Sequence, residues 1–156
     1  MADFREVSDE TQTLFNSILD NTTIPNWVEF KLLANDNLKE IYQVRKLSDL
    51  FEYLSEGTNI AVIINEEIFD DLGDVEIQKR VLEEALGGVV VDENDKIKLL
   101  AYDFTSYSGF LEKYGADDVI VMKLSIQSLF EQKKQREEEE KARIREEKKK
   151  NRKKRT

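Results

Sequence analysis

Residues 80–104, RVLEEALGGVVVDENDKIKLLAYDF, change their apolar spacing midway, and that change decides the fold class. Up to the glycines, Ile77, Val81, Leu82, Ala85 and Leu86 share one helical face, which predicts a helix capped by Asp74 and stopped by Gly87 and Gly88. Beyond them, two β-rich arms flank the turn DEND, which predicts a hairpin. A helix running straight into a hairpin implies an α+β chain.

Working toward the N-terminus, EEIFDDLGD reads as a short helical link, and NIAVIIN, the most β-branched apolar run, as a central strand. Leu47, Leu50, Phe51 and Leu54 recur at i, i+3, i+4, i+7, a short helix closed by Gly57. LKEIYQV and WVEFKLL read as strands, the second alternating Trp27, Glu29 and Lys31 against Val28, Phe30 and Leu32. SDETQTLFNSILD starts a helix at Ser8, with Asp9 and Glu10 in the first turn, where the helix dipole favours acids. Toward the C-terminus, YDFTSYSGFLEKYG predicts a helix ending at Gly115. Val119, Met122, Ile126, Leu129 and Phe130 then form a helical stripe, although VIVMKL alone also fits a strand. The expected architecture is a small mixed sheet with packed helices and a long charged C-terminal helix.

The 156 residues suit one domain with an appendage. Charged residues make up 37 % of the chain, well above the usual quarter, and they are unevenly divided. Of 24 Lys/Arg and 33 Asp/Glu, residues 131–156 hold 13 and 7, a net of +6; residues 1–130 keep 11 and 26, a net of −15. This divides the chain into an acidic body, 1–130, and a highly charged basic tail, 131–156, helical or disordered, with the body expected to fold alone. The absence of Cys excludes disulfides and thiolate chemistry and fits a reducing compartment. MADFREVSDE has no apolar h-region, so no secretory signal is expected. NIAVII and VIVM are too short to cross a bilayer, so no membrane partner is expected.

The order of strand, link, helix with LEEALGGV, acidic hairpin, then YDF and FLEKYG resembles the phage metallopeptidase family, a zincin-like group, over Val28 to Gly115. In that family the helix carries L-D-H-E-L-x-H, and an H-D pair opens the later helix. The resemblance implies a zincin-like fold but a degenerate site. Leu82 and Glu83 match the opening L-D; Glu84 stands at the first ligand His, Ala85 at the general-base Glu, and Gly88 at the second His. Tyr102 takes the place of the third His, followed by a retained Asp103. Histidines at i and i+4 converge on one metal while the Glu between them activates its water. Gly cannot ligate and Ala cannot accept a proton, so the expectation is a pseudoenzyme: no catalytic residues, no metal and no cofactor. What oxygen donors remain would suit calcium or magnesium better than zinc, and Glu84, Tyr102 and Asp103 are too few even for those.

Other chemistry is also unsupported. Glu84, on the flank of its apolar stripe, reads as a solvated helix residue. DENDK lacks the spacing of a calcium loop and its late Glu. Ser106 and Ser108 have no His to activate them. Glu66–Glu67, Asp70–Asp71 and Asp117–Asp118 are sequence neighbours, which do not face each other on a helix or strand.

The tail, EQKKQREEEEKARIREEKKKNRKKRT, has only Ala142 and Ile144 as apolar residues, which excludes a coiled coil. Acid-first pairs Glu137–Lys141, Glu139–Arg143 and Glu146–Lys150 support a solvated helix. Lys148, Lys149, Lys150, Arg152, Lys153, Lys154 and Arg155 form a cation cluster suited to phosphate or an acidic partner. The functional expectation is a non-catalytic phage protein serving as a protein-interaction platform for a host or phage protein. The alternative is a nucleic-acid-associated or virion structural phage protein that uses the basic tail. The expected location is the cytoplasm of the infected bacterium, with the virion as the alternative.

Overall fold

The computed structural model describes residues 3–100 and 108–154. It is an α+β structure: a four-stranded mixed sheet with helices packed on it, a separate two-stranded hairpin, and a long C-terminal helix.

Strand β1 (Arg5–Glu6) leads to helix α1 (Asp9–Asp20), whose N-cap Ser8 accepts a hydrogen bond from the Thr11 amide, as its sequence implies. Phe15 and Ile18 are its buried apolar contacts, with Leu14 and Leu19 at the core edge. Strands β2 (Phe30–Ala34), β3 (Tyr42–Lys46) and β4 (Ile60–Ile64) complete the sheet in the order β1-β2-β4-β3. β2 and β4 run parallel; β1 and β3 are antiparallel to their neighbours. NIAVIIN is thus an interior strand, as its β-branched run predicts. β3 starts later than LKEIYQV suggests, because the Leu38 amide closes a turn onto the Asn35 carbonyl.

The register explains which face is covered. Ala34, Ile64 and Tyr42 lie abreast, as do Leu32, Val62 and Val44, and these two rows face the helices. Lys31, Ala61 and Arg45 lie on the opposite face.

Between β3 and β4 lies helix α2 (Asp49–Leu54), capped by Ser48. The chain leaves it through Glu56 and Gly57, both at positive φ, with the Gly57 amide bonded to the Glu52 carbonyl. The apolar spacing identifies this helix correctly, yet none of its residues is buried. Helix α3 (Glu66–Asp71) is capped by the buried Asn65, and α4 (Val75–Gly87) by Asp74. Val81, Leu82, Ala85 and Leu86 bury the expected α4 stripe, and Gly88 is its C-cap. Strands β5 (Val89–Val91) and β6 (Ile97–Leu99) form the expected hairpin.

Helix α5 (Ser108–Tyr114) turns at Gly115, φ +82°, into α6 (Ala116–Lys154). VIVMKL is therefore helical. Val119, Met122 and Ile126 are buried on the body, with Leu129 and Phe130 packed beside them. The charge boundary at residue 130 falls inside this helix. Lys133 donates to the Asp36 carbonyl and pairs with Glu67 at 3.1 Å, and Arg136 approaches Asp71 at 3.8 Å. From Glu137 onward every described residue is exposed. Eighteen residues, Glu137–Lys154, carry the helix about 27 Å past Arg136, which makes its last ion pair with the body among the described residues.

Candidate functional site

The degenerate-site positions converge only in part. Glu84, expected to be solvated, is instead fully buried. It is i+7 from Ile77 and i+3 from Val81, which places it within the buried stripe of α4. A charge at that position requires partners. The Tyr42 hydroxyl, at the end of the Ala34–Ile64–Tyr42 row, donates to its Oε1 at 2.8 Å, and the Lys123 ammonium of α6 donates to the same oxygen. Lys123 is likewise embedded in an apolar stripe, between Val119, Met122 and Ile126. The sequence signal that locates this pair is an acid inside one core stripe and a cation inside another.

Ala85 is fully buried and Gly88 caps α4; both line a cleft of about 270 Å³ with Glu40, Tyr42, Gln43, Val44, Leu99 and Leu100. Tyr42 links the cleft to the Glu84–Lys123 pair. Tyr102 and Asp103 lie outside the described residues. The donor set does not fit zinc. Ala85 and Gly88 carry no ligand atom, and the carboxylate of Glu84 already faces an ammonium that would repel a cation. Among the described residues no three His, Cys, Asp or Glu side chains are grouped to hold a metal ion.

Two further polar clusters brace the body. Arg5 reaches Glu66 at 2.6 Å and Asp36 at 3.0 Å, and the Glu66 hydrogen bond above all raises the guanidinium pKa. Burial would push the Glu66 carboxyl up, but the bonds from Arg5, the Ser8 amide and Thr11 bring it below its ordinary value. Burial likewise opposes, and Arg5 with the Glu67 amide outweighs it, at Asp36. Asp70 goes the other way: burial, then the negative charge of Glu66, raise its pKa.

In the second cluster Glu83 accepts from Tyr114 at 2.6 Å and from Lys113 at 2.9 Å. Burial and the bond to Glu83 raise the Tyr114 phenol; the same carboxylate raises Lys113. Arg80 lies over the Tyr114 ring, 4.7 Å from its centre. These two clusters, built from residues distant in sequence, are not visible in local spacing.

At the far end of α6, Lys148, Lys149, Lys150, Arg152, Lys153 and Lys154 are exposed. At 3.6 residues per turn they spread over about 240° of the helix circumference, with no single cationic stripe and with the side of Asn151 left uncharged. Arg155 lies outside the described residues. On the arm Arg143 pairs with Glu140 at 3.0 Å, an i, i+3 contact in place of the expected Glu139. Among the described residues no helix is long and apolar enough to cross a membrane.

No protein-family model matches the chain, and no curated protein and no solved structure shows significant similarity to it.

Proposed function

We propose that this chain is a non-catalytic phage protein: an interaction platform that retains a metallopeptidase-like, zincin-like framework without its chemistry. The observation that carries this reading is the pairing of Lys123 with Glu84. At the position where the resemblance puts the first metal ligand, the carboxylate is spent joining α6 to α4 inside the core. A group so placed serves architecture, while the neighbouring Ala85 and Gly88 supply neither ligand nor base. The partner is a host or phage protein met in the infected cell.

The test is direct. Purified protein incubated with zinc and exhaustively dialysed should hold no stoichiometric metal by elemental analysis and should cleave no peptide in a mixed peptide pool. One zinc retained per chain, with cleavage, would overturn the proposal.

The projecting end of α6 supports a second reading, contact with nucleic acid. A body of net −15 repels phosphate, whereas the cationic end stands well clear of it. If all seven cations engage duplex DNA, the slope of log affinity against log salt should be about −6. Neutralising Lys148, Lys149, Lys150, Arg152, Lys153, Lys154 and Arg155 together should flatten it. DNA binding that persists unchanged in that variant would remove this reading.

A further inference from the structure

The face of α6 that docks on the body continues along the arm, where every described residue is exposed. Val119, Met122 and Ile126 are buried on that face, and Lys133 extends it to the Asp36 carbonyl. Ile144 follows Ile126 by eighteen residues, about five turns, and so lies on the same line of the helix. It is the one large apolar residue of the arm and is 41 % exposed. Glu137, Glu140, Lys141, Glu147, Lys148 and Asn151 sit within about 60° of that line. At the root of this face a hollow of about 370 Å³ opens beside α3, lined by Glu67, Lys133, Arg136, Glu137, Glu140 and Lys141.

We propose that this face pairs with the same face of a second copy, antiparallel, about a two-fold axis at Ile144. The pairing is independent of the lost metal chemistry. Charge order selects the occupant and its direction. Reversing the helix about Ile144 sets Glu140 against Lys148 of the other copy and Lys141 against its Glu147, and the axis makes each contact twice. A parallel pair would set Glu on Glu and Lys on Lys at the same positions, which is repulsive. Glu140 accepts from Arg143 through Oε1 only, so its Oε2 is open to the opposing ammonium. The overlap, residues 137–151, is about 21 Å long. Beyond it, Arg152 and Lys154 of each copy reach the hollow beside α3 of the other, where Glu67, Asp70 and Asp71 are exposed. The cationic tip of one chain thus meets the acidic body of its partner, as a +6 tail and a −15 body favour. The contact is ionic around one apolar residue per copy, unlike a heptad coiled coil. So short an overlap lies at the low end of interface sizes, which makes the dimer transient and sensitive to salt.

Sedimentation equilibrium on the full chain tests this. The wild type should dimerise reversibly at about 0.05 M sodium chloride and be monomeric at about 1 M, where the Debye length is about 3 Å. Glu140→Lys and Lys148→Glu should each weaken the dimer about tenfold, because each replaces two attractions by two repulsions. Their combination should restore it. Circular dichroism should stay helical in all three variants, since both side chains are exposed. The chain has no Cys, so single introduced thiols report direction. Oxidising a mixture of the Glu137→Cys and Asn151→Cys proteins should give more of the mixed disulfide than random pairing would. A wild type monomeric at low salt, a double variant as weak as the singles, or an excess of homodimeric crosslinks would each overturn the antiparallel pairing. A monomeric wild type that binds duplex DNA, with binding lost in Lys148→Glu, would assign the face to nucleic acid and also overturn it.

Discussion

The Lys123 ammonium of α6 is set against the Glu84 carboxylate of α4, joining residues 39 apart in sequence at a point where the carboxylate is wholly buried. Removing the cation strands a charge that folding has taken out of water. Lys123→Met should therefore destabilise the protein by about 3 kcal/mol, read from the urea midpoint. Glu84→Met combined with Lys123→Met should recover most of that loss, because two apolar chains of similar volume need no partner. A double variant no better than the single would show that the pair is not the source of the effect.

Acid should attack the protein through Arg5, Asp36 and Glu66. The folded-state pKa values of Glu66 and Asp36 lie below their ordinary 4.5 and 3.8. Such groups contribute stability that is complete above the ordinary values and lost as pH falls through the folded ones. Stability should thus decline below about pH 5. Glu66→Gln should lower stability at neutral pH by about 1–2 kcal/mol and make the acid limb shallower, as followed by denaturation at stepped pH.

Asp70 has the opposite sign. Its folded pKa is raised, so its ionised form opposes folding once pH exceeds that value. Asp70→Asn should stabilise the protein at neutral pH and have little effect at pH 3. Because the side chain is exposed, solvent screening limits the gain to about 0.5 kcal/mol. A loss of stability at neutral pH would contradict the electrostatic account.

Truncation separates docked from free helix. Ending the chain after Arg136 should leave the unfolding midpoint unchanged, because every described residue beyond it is exposed. Ending it after Phe130 removes the contacts of Lys133 to the Asp36 carbonyl and to Glu67, and should cost about 1–2 kcal/mol.

Much of the fold was legible because local chemistry and tertiary structure agree in it. Ser8 and Asp74 cap the helices they precede, and NIAVIIN is an interior strand. The Gly87–Gly88 pair separates a helix from a hairpin. What local pattern could not convey was which apolar face meets the core. Leu50 and Leu54 have helical spacing identical in kind to that of Val81 and Ala85, yet only the second pair is covered. Periodicity reports that a face exists; burial depends on where the chain on either side attaches to the sheet. The burial of Glu84 escapes local pattern for the same reason. A lone acid beside a stripe is ordinarily solvated, and only the cation at Lys123, supplied by another helix, makes its burial tolerable.

The continuity of α6 has a mechanical consequence. No Gly or Pro interrupts Ala116–Lys154, so the helix has no built-in hinge between the part wedged into the core and its far tip. A sideways pull at the tip therefore acts as torque on Val119, Met122 and Ile126, with Lys133 near the fulcrum. Whatever grips the end of this helix turns the whole body with it.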